Sequence, residues 1–381
     1  MSDIILTGIT WDHPRGYEPL IASSALYEKL FAVKVKWQKR SLTHFGDQAL
    51  AELADTFDLL IIDHPHTGVA YSKKCLVPFE DILPAAILNE LLEESAGPSY
   101  SSYNYKGKQW ALAVDAAMQC SANRPDLLNE LPVPKNWTEV FELTDLLRKK
   151  NLQVAMALCP TDSLCSFLTL TAQLGSPVQE GNEMLVSRKI GLQSLELMRR
   201  MRDNFHQNSL NWNPVQLYDH MSNHDDIVYS PLAFCYTNYS RDGFRKNKLS
   251  YNNAPGITNA VLGGAGIAVS AKCKYPVEAA KYAAWICSAE IQKTIYVREQ
   301  GQPANIIAWE SDFGNGLTNN FFFNTIETLM NAFVRPRYNG WPAFQKYLGE
   351  ALHKYLKEDA EPAAVLDHLQ EAYGLSYLKS K

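Results

Sequence analysis

Phe57-Asp58-Leu59-Leu60-Ile61-Ile62-Asp63-His64-Pro65-His66-Thr67-Gly68 is the stretch that decides the fold. Its first half is a continuous apolar run, the mark of a strand buried on both faces of a parallel sheet. Its second half is polar and turn-forming. The chain opens the same way: Ile4 to Ile9 is apolar, and Trp11-Asp12-His13-Pro14-Arg15-Gly16-Tyr17 follows as a polar loop. Between the two, Leu26, Tyr27, Leu30 and Phe31 fall on one helical face, and Val33, Val35 and Trp37 alternate as a strand. This βαβ rhythm predicts a parallel sheet whose ligand lies outside the strands' carboxyl ends.

Working outward, Trp110 to Asp115 is extended and leads into a second α/β unit. There, Val140, Leu143, Thr144 and Leu147 predict a helix, Leu152 to Leu158 a strand, Ser166 to Leu174 a helix, and Ile227 to Phe234 a strand. A long helix after Pro276 carries Ala280, Ala284, Cys287, Ile291 and Ile295 on one stripe. Another carries Leu348, Leu352 and Leu356. At 381 residues the chain exceeds what one core supports, so two lobes are expected.

Hydrophobic residues at 46% and charged residues at 20% are ordinary for a globular protein. A net charge of −5 excludes a nucleic-acid partner, which needs a basic surface. The seven cysteines are scattered, without a CxxC pair, and read as buried thiols of a reducing compartment. Met1-Ser2-Asp3 runs directly into Ile4-Ile5-Leu6 without the features of a secretory signal. A cytoplasmic location is therefore expected of the chain as written, and a periplasmic one if Met1 replaces a cleaved export signal.

Several segments in this order resemble the family 1 extracellular solute-binding proteins of ABC importers. They are Phe57 to Gly68, Leu76-Val77-Pro78-Phe79, Tyr105 to Asp115, Pro134 to Glu139, Gly263 to Ser270 and Ala279 to Gln292. The resemblance implies an α/β, two-lobed type 2 periplasmic-binding-protein fold, each lobe a mixed sheet flanked by helices. It implies three hinge crossings, near Ala113–Asp115, Ile257–Leu262 and Ser311–Leu317. Residues 1–113 plus 260–312 would form the N-terminal lobe, and 114–259 plus 313–381 the C-terminal lobe. A ligand cleft would lie between them, closing by a hinge motion. ABC-importer membrane subunits are the implied partners of a monomeric chain.

The richest constellation joins Trp11, Asp12, His13, Arg15 and Tyr17 with Asp63, His64 and His66. If both strands are parallel neighbours, the two loops meet at one sheet edge as a polar wall. Two other readings stay open: Asp63 and His64 cap the following turn, or His13, His64 and His66 hold a metal. No cofactor and no metal is expected. Asp115 could reach the ligand or tie the hinge. Thr161, Asp162 and Ser163 read either as a helix cap or as donors at a helix N-terminus. Tyr236, Asn238, Tyr239 and Arg241 offer aromatic faces with polar tips, the mix that suits sugars. Arg335, Arg337, Tyr338 and Trp341 lie in a turn between helices, where buried arginines need an anionic or hydroxylated partner; surface ion pairing is the alternative. Gly264, in Gly263-Gly264-Ala265-Gly266, adds backbone freedom beside a lobe crossing and a possible ligand contact; no phosphate-loop pattern follows it.

The expected function is capture of a small polar solute, a carbohydrate or sugar acid, for import or sensing. The alternative is a cytoplasmic enzyme on the same scaffold. No GxSxG, Cys-His or HExxH signature and no paired-carboxylate pattern supports catalysis. Arg15, Arg335 and Arg337 raise the chance of an anionic ligand.

Overall fold

The computed structural model describes residues 4–42, 45 and 49–378, so the reading of Met1-Ser2-Asp3 lies outside the described residues. Contacts divide the chain into two units. The first is Met1–Ala117, Gly263–Phe322 and Arg337–Asn339; the second is Met118–Leu262, Phe323–Pro336 and Gly340–Lys381. Each unit is a mixed sheet flanked by helices.

In the first unit, Ile4–Trp11 pairs in parallel with Val33–Arg40 on one side and with Leu59–Ile62 on the other. The register Gly8↔Leu59 carries both polar loops to the same carboxyl edge. All four residues of Leu59–Ile62 are buried, as the apolar run predicts. Their second neighbour is antiparallel, however: Leu262–Val269 sets Gly266 opposite Ile62 and Val269 opposite Leu59. The sheet is thus mixed, as the resemblance implies, and the parallel pairing read from the βαβ rhythm holds for its first three strands. An apolar run reads the same in both directions and cannot reveal the sense of its neighbour.

Two helical stripes also differ from expectation. Helix Pro14–Phe31 buries Gly16, Leu20, Ser23, Ser24 and Tyr27, whereas Leu30 and Phe31 are more than half exposed. The two serines sit inward because the Tyr282 hydroxyl lies 2.9 Å from Ser24 Oγ and the Trp37 indole donates to it at 3.0 Å. The stripe after Pro276 breaks at Ser288, whose ψ of 150° is extended, so helix Pro276–Cys287 ends before Ile291. A turn of π-helix, Gln292–Tyr296, follows. Leu6, Val35, Trp37, Leu59, Ile61, Ile267, Ala280 and Tyr282 form the centre of the core.

Strand Leu112–Asn123 begins in the first unit and ends in the second. There it pairs antiparallel with Ile227–Phe234 and with Ser250–Asn252. Gln153–Val154 lies parallel to Ile227–Phe234. Helix Trp137–Arg148 starts where the Asn136 side chain accepts the Glu139 amide, and buries the four predicted residues. Helix Pro160–Gln173 begins six residues earlier than the apolar pattern suggests, at a proline well suited to a first turn. Helix Trp341–Glu358 packs on it: Leu348, Leu352 and Leu356 are buried, and a side-chain carbon at Gly349 would come within 2.5 Å of the Pro160 carbonyl. Among the described residues no helix is long and apolar enough to cross a membrane.

Candidate functional site

The carboxyl edge of the first sheet assembles the two loops predicted to meet there. Strand Ile4–Trp11 runs into His13, whose Nδ1 accepts the Arg15 amide at 3.1 Å and caps the helix. Arg15 follows in the first turn, pointed inward and buried. Its Nε and Nη2 donate to the two Asp115 oxygens at 2.8 and 2.5 Å. Burial pushes the Asp115 carboxyl up, and the Arg15 charge opposes that rise. Asp115 is fixed in turn by its backbone: it bridges Pro303, and the neighbouring Ala116 carbonyl accepts from Gln302 Nε2 at 2.6 Å. Gly264 lies against the same strand with φ of +97°, and any Cβ there would collide with the Asp115 carbonyl. Arg15, Asp115 and Gly264 therefore form one tightly tied group in the first unit.

The second loop is built as a turn. Asp63 Oδ1 accepts the His64 amide at 2.9 Å and lies 3.2 Å from His64 Nδ1, capping the short helix His64–His66. Both histidines are buried, and the His64 ring meets Tyr103 edge-on at 6.2 Å. Gly68 sits so close to the chain at Arg337 that a side chain there would collide with the Arg337 carbonyl. The Arg337 guanidinium itself donates from Nη1 to the carbonyls of Ser101, Ser102 and Asn104 at 3.1, 2.9 and 2.6 Å. Tyr338 beside it is buried. Trp11 is buried in the core beneath the Gly16 backbone, while Asp12 is exposed and pairs with Lys39 at 2.8 Å. The Lys39 ammonium also lies 4.8 Å from the centre of the half-buried Tyr17 ring. The sequence reading missed Arg40, which ends the alternating strand beside Trp11. Arg40 is buried, donates to the Ile61 carbonyl at 2.9 Å, and burial lowers its pKa to about 10.

In the second unit, Thr161, Asp162 and Ser163 lie within the first turn of helix Pro160–Gln173 rather than before it. Cys159 occupies the cap position without a side-chain cap bond. Thr161 is exposed, and Ser163 Oγ donates to the Leu158 carbonyl at 2.7 Å. Asp162 is buried, and its Oδ2 accepts from the Cys159 thiol at 3.0 Å. Burial raises the Asp162 pKa to about 7, and the thiol hydrogen bond only partly offsets this. Burial and the adjacent carboxylate push the Cys159 thiol up as well. Cys159 too escaped the sequence reading; Pro160 at the helix start was the available signal.

Tyr236 and Asn238 lie on the short turn after strand Ile227–Phe234, both buried. Tyr239 turns inward, donating to Asp219 at 2.9 Å and packing against Tyr218 and Phe244. Arg335 is buried with Nη1 3.5 Å from Gln345 Oε1, and Trp341 is buried against Phe344. The structure thus brings together the loop pair of the first unit, and separately the Cys159–Ser163 turn of the second.

A two-unit α/β protein with polar loops at the sheet edge and a helix N-terminus in the second unit has the architecture of a solute receptor. The family model for bacterial extracellular solute-binding proteins matches residues 24–305, and the chain belongs to that family. Solved structures with the same fold include a solute-binding protein of an Agrobacterium radiobacter K84 ABC transporter in complex with ribitol. It is 19% identical with a TM-score of 0.82, covering 99% of this chain and 98% of its own. A Thermotoga lettingae TMO counterpart bound with α-D-tagatose is 15% identical with a TM-score of 0.82, covering 98% and 100%. Maltose-bound MalE3 of T. maritima is 15% identical with a TM-score of 0.80, again covering 98% and 100%. No curated protein matches the chain in sequence.

Proposed function

We propose that the chain captures a neutral polyhydroxylated solute, a sugar or sugar alcohol, and hands it unaltered to the membrane subunits of an ABC importer on the extracellular side. The lobes 1–113 with 260–312 and 114–259 with 313–381 would close on the solute. The observation that carries the choice of ligand is the pairing of two arginines. Arg15 is neutralised by Asp115, and Arg337 donates to three backbone carbonyls, which supports a neutral solute over the sugar acid that these two cations suggest. Ribitol and tagatose in relatives of the same fold support the same class. Catalysis would need an accessible acid–base pair, and within the predicted polar wall the Asp63–His64 pair has a fully buried ring engaged in a turn.

A thermal-shift screen over pentitols, ketohexoses, disaccharides and sugar acids tests this. Binding to the native state alone raises the melting temperature, by about 2.7 kcal/mol of added stability at a hundredfold excess over Kd. Stabilisation by polyols or neutral sugars is expected. Stabilisation by sugar acids alone would contradict the neutral-ligand reading.

A further inference from the structure

His206, His220 and Asp226, all in the second unit, converge outside every residue invoked above. One ligand-type atom of each lies within 4.8 Å of the others. His206 follows helix Arg188–Asn204, His220 sits in the last turn of helix Pro214–Asn223, and Asp226 precedes strand Ile227–Phe234. Both rings approach the same Asp226 oxygen: His220 Nε2 is 3.1 Å and His206 Nε2 3.6 Å from Oδ2. A tetrahedral cation with bonds of about 2.0–2.2 Å holds its donors roughly 3.3 Å apart. The two separations fall either side of that value.

The surroundings fix these rings. Asn213 and Gln216 form a reciprocal capping box that anchors the helix bearing His220. The Trp212 ring stacks on His206 at 4.9 Å with planes 10° apart, and lies 4.8 Å from His220. His224 stacks on His220 at 4.3 Å. The Asp226 side chain is 39% exposed, which leaves room for water to complete a coordination shell. Two imidazoles and one carboxylate favour zinc, cobalt or nickel over magnesium or calcium.

We propose that His206, His220 and Asp226 form a binding site for a divalent transition-metal ion of the zinc type. The ion takes Nε2 of each ring, so each bound ring carries its proton on Nδ1. At His206 that nitrogen now accepts the Asn208 amide at 3.2 Å, and loading gives up this bond and the His220 Nε2–Asp226 hydrogen bond in exchange for three metal bonds. The site is independent of the solute reading and stands or falls without it.

The test uses untagged protein stripped with a chelator and titrated with Co²⁺ and Zn²⁺, followed by calorimetry and tryptophan fluorescence. One ion per chain is expected, with Zn²⁺ displacing Co²⁺. Co²⁺ should quench fluorescence, and Trp212→Phe should remove much of that quenching while the stoichiometry stays at one. His220→Ala and Asp226→Asn should each weaken binding by more than about a hundredfold, beyond the cost of losing an outer-shell partner. Asp226→Asn changes a partly exposed side chain, so it keeps the test open if His220→Ala fails to fold. Absence of saturable binding at millimolar Co²⁺, or binding that neither substitution weakens, overturns the site.

Discussion

Asp115 in the first unit and Asp162 in the second are both buried carboxylates, yet their partners differ in kind. Asp115 meets a guanidinium through two charged hydrogen bonds; Asp162 meets the Cys159 thiol. Desolvation penalises both charges, but a cation answers it only in the first case. The first carboxylate therefore acts as a clasp between a helix start and a strand, and the second as a group that titrates near neutrality. Two similar acids in one chain thus fix structure in one place and respond to pH in the other.

The largest expected effect comes from breaking the clasp. Arg15→Leu leaves the Asp115 charge buried without its counter-ion and should cost about 3–5 kcal/mol by urea denaturation. Arg15→Leu with Asp115→Leu should recover most of that loss. A single substitution costing under about 1 kcal/mol would erase the contrast.

Asp162 gives the next effect. Its folded pKa of about 7 lies above the ordinary carboxylate value, so the native state binds the proton more tightly than the unfolded chain. That contribution is complete below about pH 4 and is lost as pH rises through 7. At about 1.4 kcal/mol per unit, the loss is on the order of 4 kcal/mol. Asp162→Asn should flatten this part of the profile, so the wild type minus variant difference falls between pH 4 and pH 7. A difference that is constant across that range would show Asp162 to be an ordinary acid.

Arg337 sharpens the comparison from a third side, because its guanidinium is met by carbonyl dipoles. Arg337→Ala should lower stability without ligand by about 1–3 kcal/mol, with Ser101, Ser102 and Asn104 losing their shared donor. An unchanged melting temperature would assign these bonds no net worth.

The sequence makes a strand legible where the apolar run is uninterrupted, as at Leu59–Ile62. It makes the loop pair at the sheet edge legible because parallel strands must release their loops on one side. It does not reveal the Arg15–Asp115 clasp, whose partners are 100 residues apart. Nor does it reveal the inward face of helix Pro14–Phe31, where Ser23 and Ser24 share hydrogen bonds with the Tyr282 hydroxyl and Ser24 accepts from Trp37, and hydrophobic periodicity has nothing to register. The early start of helix Pro160–Gln173 is hidden for a similar reason. Thr161, Asp162 and Ser163 carry the residue types of a cap but occupy the first turn, and Asp162 and Ser163 bond back toward Cys159 and Leu158.

Isothermal titration with the best neutral sugar or polyol from the thermal screen, with chromatographic recovery of the ligand afterwards, tests the central claim most directly. A single saturating transition near one ligand per chain is predicted, with heat returning to baseline and the ligand recovered chemically unchanged. Heat that persists in proportion to ligand added, together with a recovered product of different mass, would contradict a receptor and point to an enzyme.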